Sequence, residues 1–275
     1  MAHAEVAVPK ALATPLDDIA DGIRGLRLGF VNVFGVEHAN GAWTLVDAGI
    51  PYSAGYIRHW AEENYGAPPS AIVLTHGHFD HVSAARELAD HWDVPVYAHA
   101  DEAPYLTGQS EYPPPNTGAG GGLMSLLSPV YPRGPVNLSH RLKLFNARES
   151  VMESGALPEW QIVHTPGHTA GHVSFFRPAD QTLLVGDAFC TTKPESFFDA
   201  AVAQPPELHG PPSYFTSDFR AAAQSIRRLA MLQPRIIVPG HGKPLAGLEV
   251  GRKLTQLAIE FTDEVDGRTR HTMAS

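Results

Sequence analysis

One cysteine, Cys190, stands among 275 residues. An intramolecular disulfide framework is therefore impossible, and the same count excludes a cysteine-rich metal site. Positive charge is also scarce. The chain has 20 Lys and Arg against 29 Asp and Glu, a formal charge of -9, without the basic footprint that a nucleic-acid partner demands. No apolar run approaches the ~20 residues that cross a bilayer, so no membrane partner is expected. The opening stretch MAHAEVAVPKALATPLDD lacks the basic start and long apolar core of a signal peptide, and a cytoplasmic location is expected. Charged residues make up only 18%, but hydrophobic ones reach 43%, which places the chain with globular proteins and not with disordered ones.

Histidine and proline are plentiful instead, at 15 and 24 residues. Residues 1–25 read as an N-terminal extension and 26–275 as one domain. Strands are expected at Leu26–Val36 and Ala42–Val46, joined by a turn at Ala39-Asn40-Gly41. A helix follows over Tyr52–Tyr65, a buried strand over Ala71–Leu74, a helix over Val82–Trp92 and a strand over Val94–Ala98. The second half repeats the mixture, with strands at Gln161–His164, His172–Phe176, Thr182–Val185 and Arg235–Val238. Helices are expected at Phe219–Leu232 and Leu248–Val265, with Arg268–Ser275 fraying. Between the halves lies a Pro/Gly-rich loop, residues 107–135. A loop of that length is functional or disordered; we expect it over the site, with Leu123, Met124, Leu126 or Leu127 facing inward. Strands interleaved with helices exclude an all-β sandwich.

The stretch Thr75-His76-Gly77-His78-Phe79-Asp80-His81 concentrates four candidate metal ligands where a buried strand meets a helix. In extended backbone His76 and His78 point to one side. Zinc accepts imidazole nitrogen at ~2.0–2.1 Å and carboxylate oxygen at ~2.0–2.2 Å. One such stretch cannot close two metal sites, so distant ligands are required. His168 in Pro166-Gly167-His168, Asp187 in Gly186-Asp187 and His241 in Gly240-His241-Gly242 each follow an expected strand, with small neighbours that permit close approach. His164 reads as a core histidine. His172 opens a strand four positions after His168 and is a lesser ligand candidate. His3, His38, His59, His91, His99, His140, His209 and His271 read as surface or packing residues.

These motifs, in this order, resemble those of the metallo-β-lactamase superfamily, from about Leu26 to Leu245. The resemblance implies an α+β fold, a four-layer αβ/βα sandwich of two mixed β-sheets flanked by helices. It implies that His76, His78 and His168 hold one divalent ion and that Asp80, His81 and His241 hold a second, with Asp187 bridging. Zinc is the first expectation, with manganese or iron as alternatives. Asp47 matches the family's outer carboxylate, which hydrogen-bonds a ligand and fixes its orientation. The implied function is a dinuclear metal-dependent hydrolase that uses a metal-bridging hydroxide on a small-molecule ester, thioester or lactone. Asp80 would also handle the proton of the nucleophile or leaving group. Cys190, with no base beside it in sequence, reads as a small residue lining the pocket, and it stands where acyl-homoserine lactonases place a tyrosine. Lys193, six residues after Asp187, is a candidate contact for an anionic substrate. Persulfide dioxygenases look similar in these motifs; that alternative would use one iron on His76, His168 and Asp187. The oligomeric state is open, with a homodimer one possibility.

Overall fold

Alternation of period two along the strands divides the apolar residues between separate cores. In Trp43-Thr44-Leu45-Val46, for example, Trp43 and Leu45 join one core and Val46 another. The computed structural model describes residues 13–119, 121–145, 156–196 and 198–273. The first half runs β1 (Ala13–Ala20), β2 (Ile23–Leu28), β3 (Val31–Glu37), β4 (Trp43–Val46), α1 (Ala54–Tyr65) and β5 (Ala71–Val73). It continues through α2 (Phe79–Val82), α3 (Ala85–Trp92), β6 (Val96–His99), α4 (Ala103–Leu106), α5 (Gly122–Leu127) and β7 (Leu142–Phe145). The second half holds β8 (Gln161–His164), β9 (Val173–Arg177), β10 (Thr182–Gly186), α6 (Phe219–Met231), β11 (Ile236–Pro239), β12 (Leu245–Ala246) and α7 (Val250–Met273).

The strands form two mixed sheets, ordered β1-β2-β3-β4-β5-β6-β7 and β12-β11-β10-β9-β8. β4, β5, β6 and β7 run parallel, as do β10 and β11, and the other neighbours are antiparallel. Phe34, Val73, Trp160, Phe175 and Leu184 fill the space between the sheets. Ile57, Trp60 and Leu88 of α1 and α3 cover the outer face of the first sheet. Ile226, Leu229, Leu254 and Phe261 of α6 and α7 cover the second. This is the four-layer αβ/βα sandwich that was expected.

Several boundaries differ from the sequence reading. Residues 13–25 are not an extension: β1 and the start of β2 pair antiparallel at the edge of the first sheet. Residues 1–12 lie outside the described residues. The expected strand Leu26–Val36 breaks at Gly29-Phe30, a two-residue turn with Gly29 at φ +67°, a conformation that glycine adopts without steric cost. The expected helix Val82–Trp92 is divided into α2 and α3. β7 was not expected, and α7 continues to Met273, past the point where fraying was placed. In the Pro/Gly-rich loop only Met124 of the four named apolar residues is buried. Leu123, Leu126 and Leu127, spaced i, i+3 and i+4, share one face of α5 that is turned outward, while Met124 lies on the face turned in.

Candidate metal centre

The named donors collect where the chain leaves β4, β5, β10 and β11, and in the turn between β8 and β9. Thr75, just past β5, accepts a hydrogen bond at its carbonyl from Val173 N–H at 2.9 Å, which joins the ends of the two sheets beside the site. The His-x-His-x-Asp-His stretch therefore faces the loops of the second sheet. His76, His81, His168 and Asp187 are buried, and His78, Asp80 and His241 keep only a trace of solvent exposure.

His76 Nε2 lies 3.1 Å from His78 Nδ1, which lies 2.8 Å from His168 Nε2. A tetrahedral zinc with bonds of ~2.0–2.1 Å holds its ligand atoms about 3.3 Å apart, so these three nitrogens are spaced for one ion. The opposite ring nitrogens are engaged. Thr75 Oγ1 donates to Asp47 and so accepts from His76 Nδ1 at 3.1 Å. Thr216 Oγ1 donates to the Pro212 carbonyl and so accepts from His168 Nδ1 at 3.3 Å. These bonds set the tautomers that leave both Nε2 lone pairs facing inward.

Asp80, His81 and His241 form a second cluster. His241 Nε2 stands 3.4 Å from Asp80 Oδ2 and 3.0 Å from Asp187 Oδ2. Its Nδ1–H donates to the Phe30 carbonyl at 2.8 Å, so the tight β2–β3 turn aims this imidazole. His81 Nδ1–H donates to Asp47 Oδ2 at 2.8 Å, which leaves His81 Nε2 3.4 Å from Asp187 Oδ1. Asp187 Oδ2 is also 3.5 Å from His168 Nε2, so its carboxylate touches both clusters. His81 Nε2 and Asp187 Oδ1 are buried without a hydrogen-bond partner. Each such orphan costs ~1–3 kcal/mol, and a cation between them satisfies both. The donor chemistry, the spacing and these orphaned atoms all fit divalent metal ions.

Burial drives the pKa of His76 and His168 well below the ordinary value and that of His78 down to about 3. These rings are neutral and ready to ligate. Burial raises the pKa of Asp80. For His81 burial acts against charge, but Asp187, Asp47 and Asp80 outweigh it and hold its pKa high. Burial would raise Asp187, yet His241 and His81 keep it a carboxylate.

Three residues with site roles were not found in the sequence. Asn32, fully buried in β3, donates from Nδ2 to the carbonyls of Pro239 at 3.0 Å and Gly242 at 2.8 Å, on either side of His241. Its backbone N–H donates to Gly240 O. Glu102 reaches both ligand-bearing loops of the first cluster. Tyr112 in the Pro/Gly-rich loop donates to Glu102 and packs on His78 at 4.5 Å between ring centroids. His172 stands outside the donor set. Its Nε2 accepts from Asp187 N–H at 2.9 Å, and it shares a hydrogen bond with Thr165 Oγ1 through Nδ1.

Other expectations fall differently. Cys190 is fully buried, with its thiol pKa pushed up by burial. Lys193 is exposed, two residues beyond Thr191, whose N–H donates to His241 O. The mouth of the site is aromatic. Phe79 stacks on Tyr131 at 5.4 Å, Tyr131 lies 6.2 Å from Phe215, and Phe215 lies 5.0 Å from His78. A further group, His99, Asp101 and His164, lies apart from the donors. The two imidazoles there stack at 4.5 Å and 12°, so their in-plane lone pairs run side by side and do not converge on an ion. Among the described residues no helix is long and apolar enough to cross a membrane.

Comparison with known proteins agrees with this geometry. The chain is 42% identical over 248 residues to the probable metallo-hydrolase YflN of Bacillus subtilis (strain 168), covering 88% of this chain and 91% of that protein. Its fold matches the crystal structure of the BLEG-1 B3 metallo-beta-lactamase with a TM-score of 0.58 at 23% identity, over 88% of this chain and 96% of the other. It also matches TTHA1623, solved in a di-iron-bound form, with a TM-score of 0.54 at 24% identity, over 86% and 96% of the two chains. Residues 26–241, which carry every donor named above, match the metallo-beta-lactamase superfamily, and the chain belongs to that superfamily.

Proposed function

We propose that the chain is a dinuclear metal-dependent hydrolase of a small-molecule ester, thioester or lactone that carries an apolar group beside the scissile bond. The observation that carries this reading is the place of Asp187, 3.5 Å from His168 in one cluster and 3.0 Å from His241 in the other. A carboxylate so placed suits a bridge between two ions, with His76, His78 and His168 on one and Asp80, His81 and His241 on the other. Bound there, two divalent ions supply an activated water and polarise the substrate oxygen.

The chain's own residues do the rest. Asp47, Phe30 and Thr216 hold His81, His241 and His168 in register. Asp80, slightly exposed and 3.4 Å from His241 Nε2, is placed to take the nucleophile's proton and return it to the leaving group. Phe79, Tyr131 and Phe215 exclude water at the mouth and offer an apolar surface to the substrate. Lys193 is assigned to the outer rim, where it would meet a negative group on larger substrates.

Metal-stripped protein reloaded with zinc, manganese or iron tests this reading by metal counting and a panel of esters, thioesters, lactones, phosphodiesters and glutathione persulfide. Two ions per chain are expected, with hydrolysis lost in Asp80→Ala and His241→Ala. A single tight iron, oxygen uptake with the persulfide and indifference to both substitutions would overturn it in favour of a dioxygenase using His76, His168 and Asp187.

A further inference from the structure

Glu102 is fully buried just before α4, and its carboxylate accepts four hydrogen bonds from three separate stretches of chain. Oε2 accepts from Gly77 N–H at 3.0 Å and from the Tyr112 hydroxyl. Oε1 accepts from the Thr169 hydroxyl at 2.7 Å and from Gly171 N–H at 2.8 Å. A carboxylate offers about four lone-pair positions, so this one is saturated. Gly77 lies between His76 and His78, and Thr169 follows His168. The two loops that bring the first cluster together are thus held by the two oxygens of one side chain. Tyr112 completes the arrangement, since its hydroxyl also accepts from Gly77 N–H at 3.1 Å.

The glycines in these loops fit the same purpose. A Cβ on Gly171 would stand 2.7 Å from Glu102 Cγ and 2.8 Å from Glu102 N. A Cβ on Gly77 would stand 2.6 Å from the Tyr112 hydroxyl and 3.0 Å from Leu106 Cδ2. Neither glycine has a positive φ, so room for Glu102 and Tyr112, and not backbone conformation, requires them.

We propose that Glu102 is a positioning residue that locks the loops carrying His76, His78 and His168 at metal-binding distance, and that Tyr112 ties the Pro/Gly-rich loop to the same lock. This rests on the metal-centre reading above. A core carboxylate that served stability alone would have no need to bond one loop with each oxygen. A glutamine in its place turns an amide N–H₂ toward one pair of incoming donors, so one loop loses its acceptors while side-chain volume is kept.

The test measures metal affinity directly. Full-length wild type, Glu102→Gln, Gly171→Ala, Thr169→Val and Tyr112→Phe are stripped and titrated with zinc against a chromophoric chelator. The cobalt-substituted proteins are compared by visible spectrum and the metal-free ones by urea unfolding. Loss of an outer hydrogen-bond partner costs about 10- to 100-fold in metal affinity. Glu102→Gln and Gly171→Ala are expected to lose at least 10-fold and to change the cobalt spectrum, with smaller losses in the other two. Lower urea midpoints with wild-type zinc affinity and an unchanged cobalt spectrum would overturn the proposal and leave Glu102 a stability residue. If Glu102→Gln fails to fold, Thr169→Val and Tyr112→Phe decide, and wild-type affinity in both overturns it. A wild type that takes up neither zinc nor cobalt overturns the metal-centre reading itself, and the lock with it.

Discussion

Asp47 Oδ2 accepts the Nδ1 proton of His81 at 2.8 Å, while Thr75 N–H donates to Asp47 Oδ1 at the same distance. The carboxylate is therefore fixed by the strand end beside it before it fixes the imidazole. Its backbone is at φ +61°, which asparagine also tolerates, so Asp47→Asn tests the hydrogen bond without straining the turn. We expect Asp47→Asn to weaken metal affinity by about 10- to 100-fold, chiefly in the cluster that contains His81. Stepwise zinc titration checks this: one of two binding steps should persist while the other moves. Two unchanged steps would refute it.

Gly240→Ala puts a methyl group where the centre has no room. Its Cβ would stand 2.3 Å from Asp187 Oδ1 and 2.8 Å from His81 Cε1. We expect loss of at least one ion per chain and of activity, with circular dichroism close to wild type. Full metal content in the purified variant would disprove the steric argument.

Tyr131→Ala removes the central ring of the aromatic mouth. The proposed substrate class predicts a KM raised about 10-fold for substrates with an apolar acyl group, corresponding to a ring contact of ~1.4 kcal/mol, just below the ~1.5–3 kcal/mol for fully burying an apolar side chain, as suits a ring that is only partly covered. Metal content should not change. In contrast, Lys193→Met should raise KM only for anionic substrates. Equal kinetics on charged and neutral substrates would return Lys193 to the solvated surface.

His38 gives a pH prediction away from the donors. Burial lowers its pKa, and its Nε2 donates to Thr44 Oγ1. The folded protein holds it neutral, whereas the unfolded chain protonates it near pH 6.5. Its stabilising contribution is complete above that value and is lost as pH falls through the unfolded pKa toward the folded one. Urea midpoints at pH 7.5 and 5.5 should therefore differ less in His38→Gln than in wild type. An equal or larger difference would contradict the assignment.

The donors could be read from sequence because each announces itself locally, by its spacing in His76–His81 or by its place between glycines after an apolar run. The core strands β4, β5, β8 and β10 were legible because they are short, apolar and bounded by turn residues. What escaped depends on tertiary partners. Nothing in Ala100-Asp101-Glu102 marks Glu102, whose role exists only once Gly77, Tyr112, Thr169 and Gly171 surround it. Asn32 looks like an ordinary polar residue in a strand until β3 meets the loop of His241. β1 and β7 were missed because edge strands bury little: in β7 Lys143 and Leu144 are exposed, so the expected apolar signal is absent.

The donors come from both sheets, with His76, His78, Asp80 and His81 following β5 and His168, Asp187 and His241 lying among the strands of the second sheet. A chain emerging from the ribosome presents its first four donors long before His241 is made. An ion captured early by His76 and His78 would sit on an open, incomplete set of ligands. The contacts of Asn32 and the Phe30 carbonyl with the His241 loop, made from the first sheet to the second, complete the second cluster. The full donor set exists only where the two sheets are docked, so its geometry is a property of the assembled sandwich and not of either half alone.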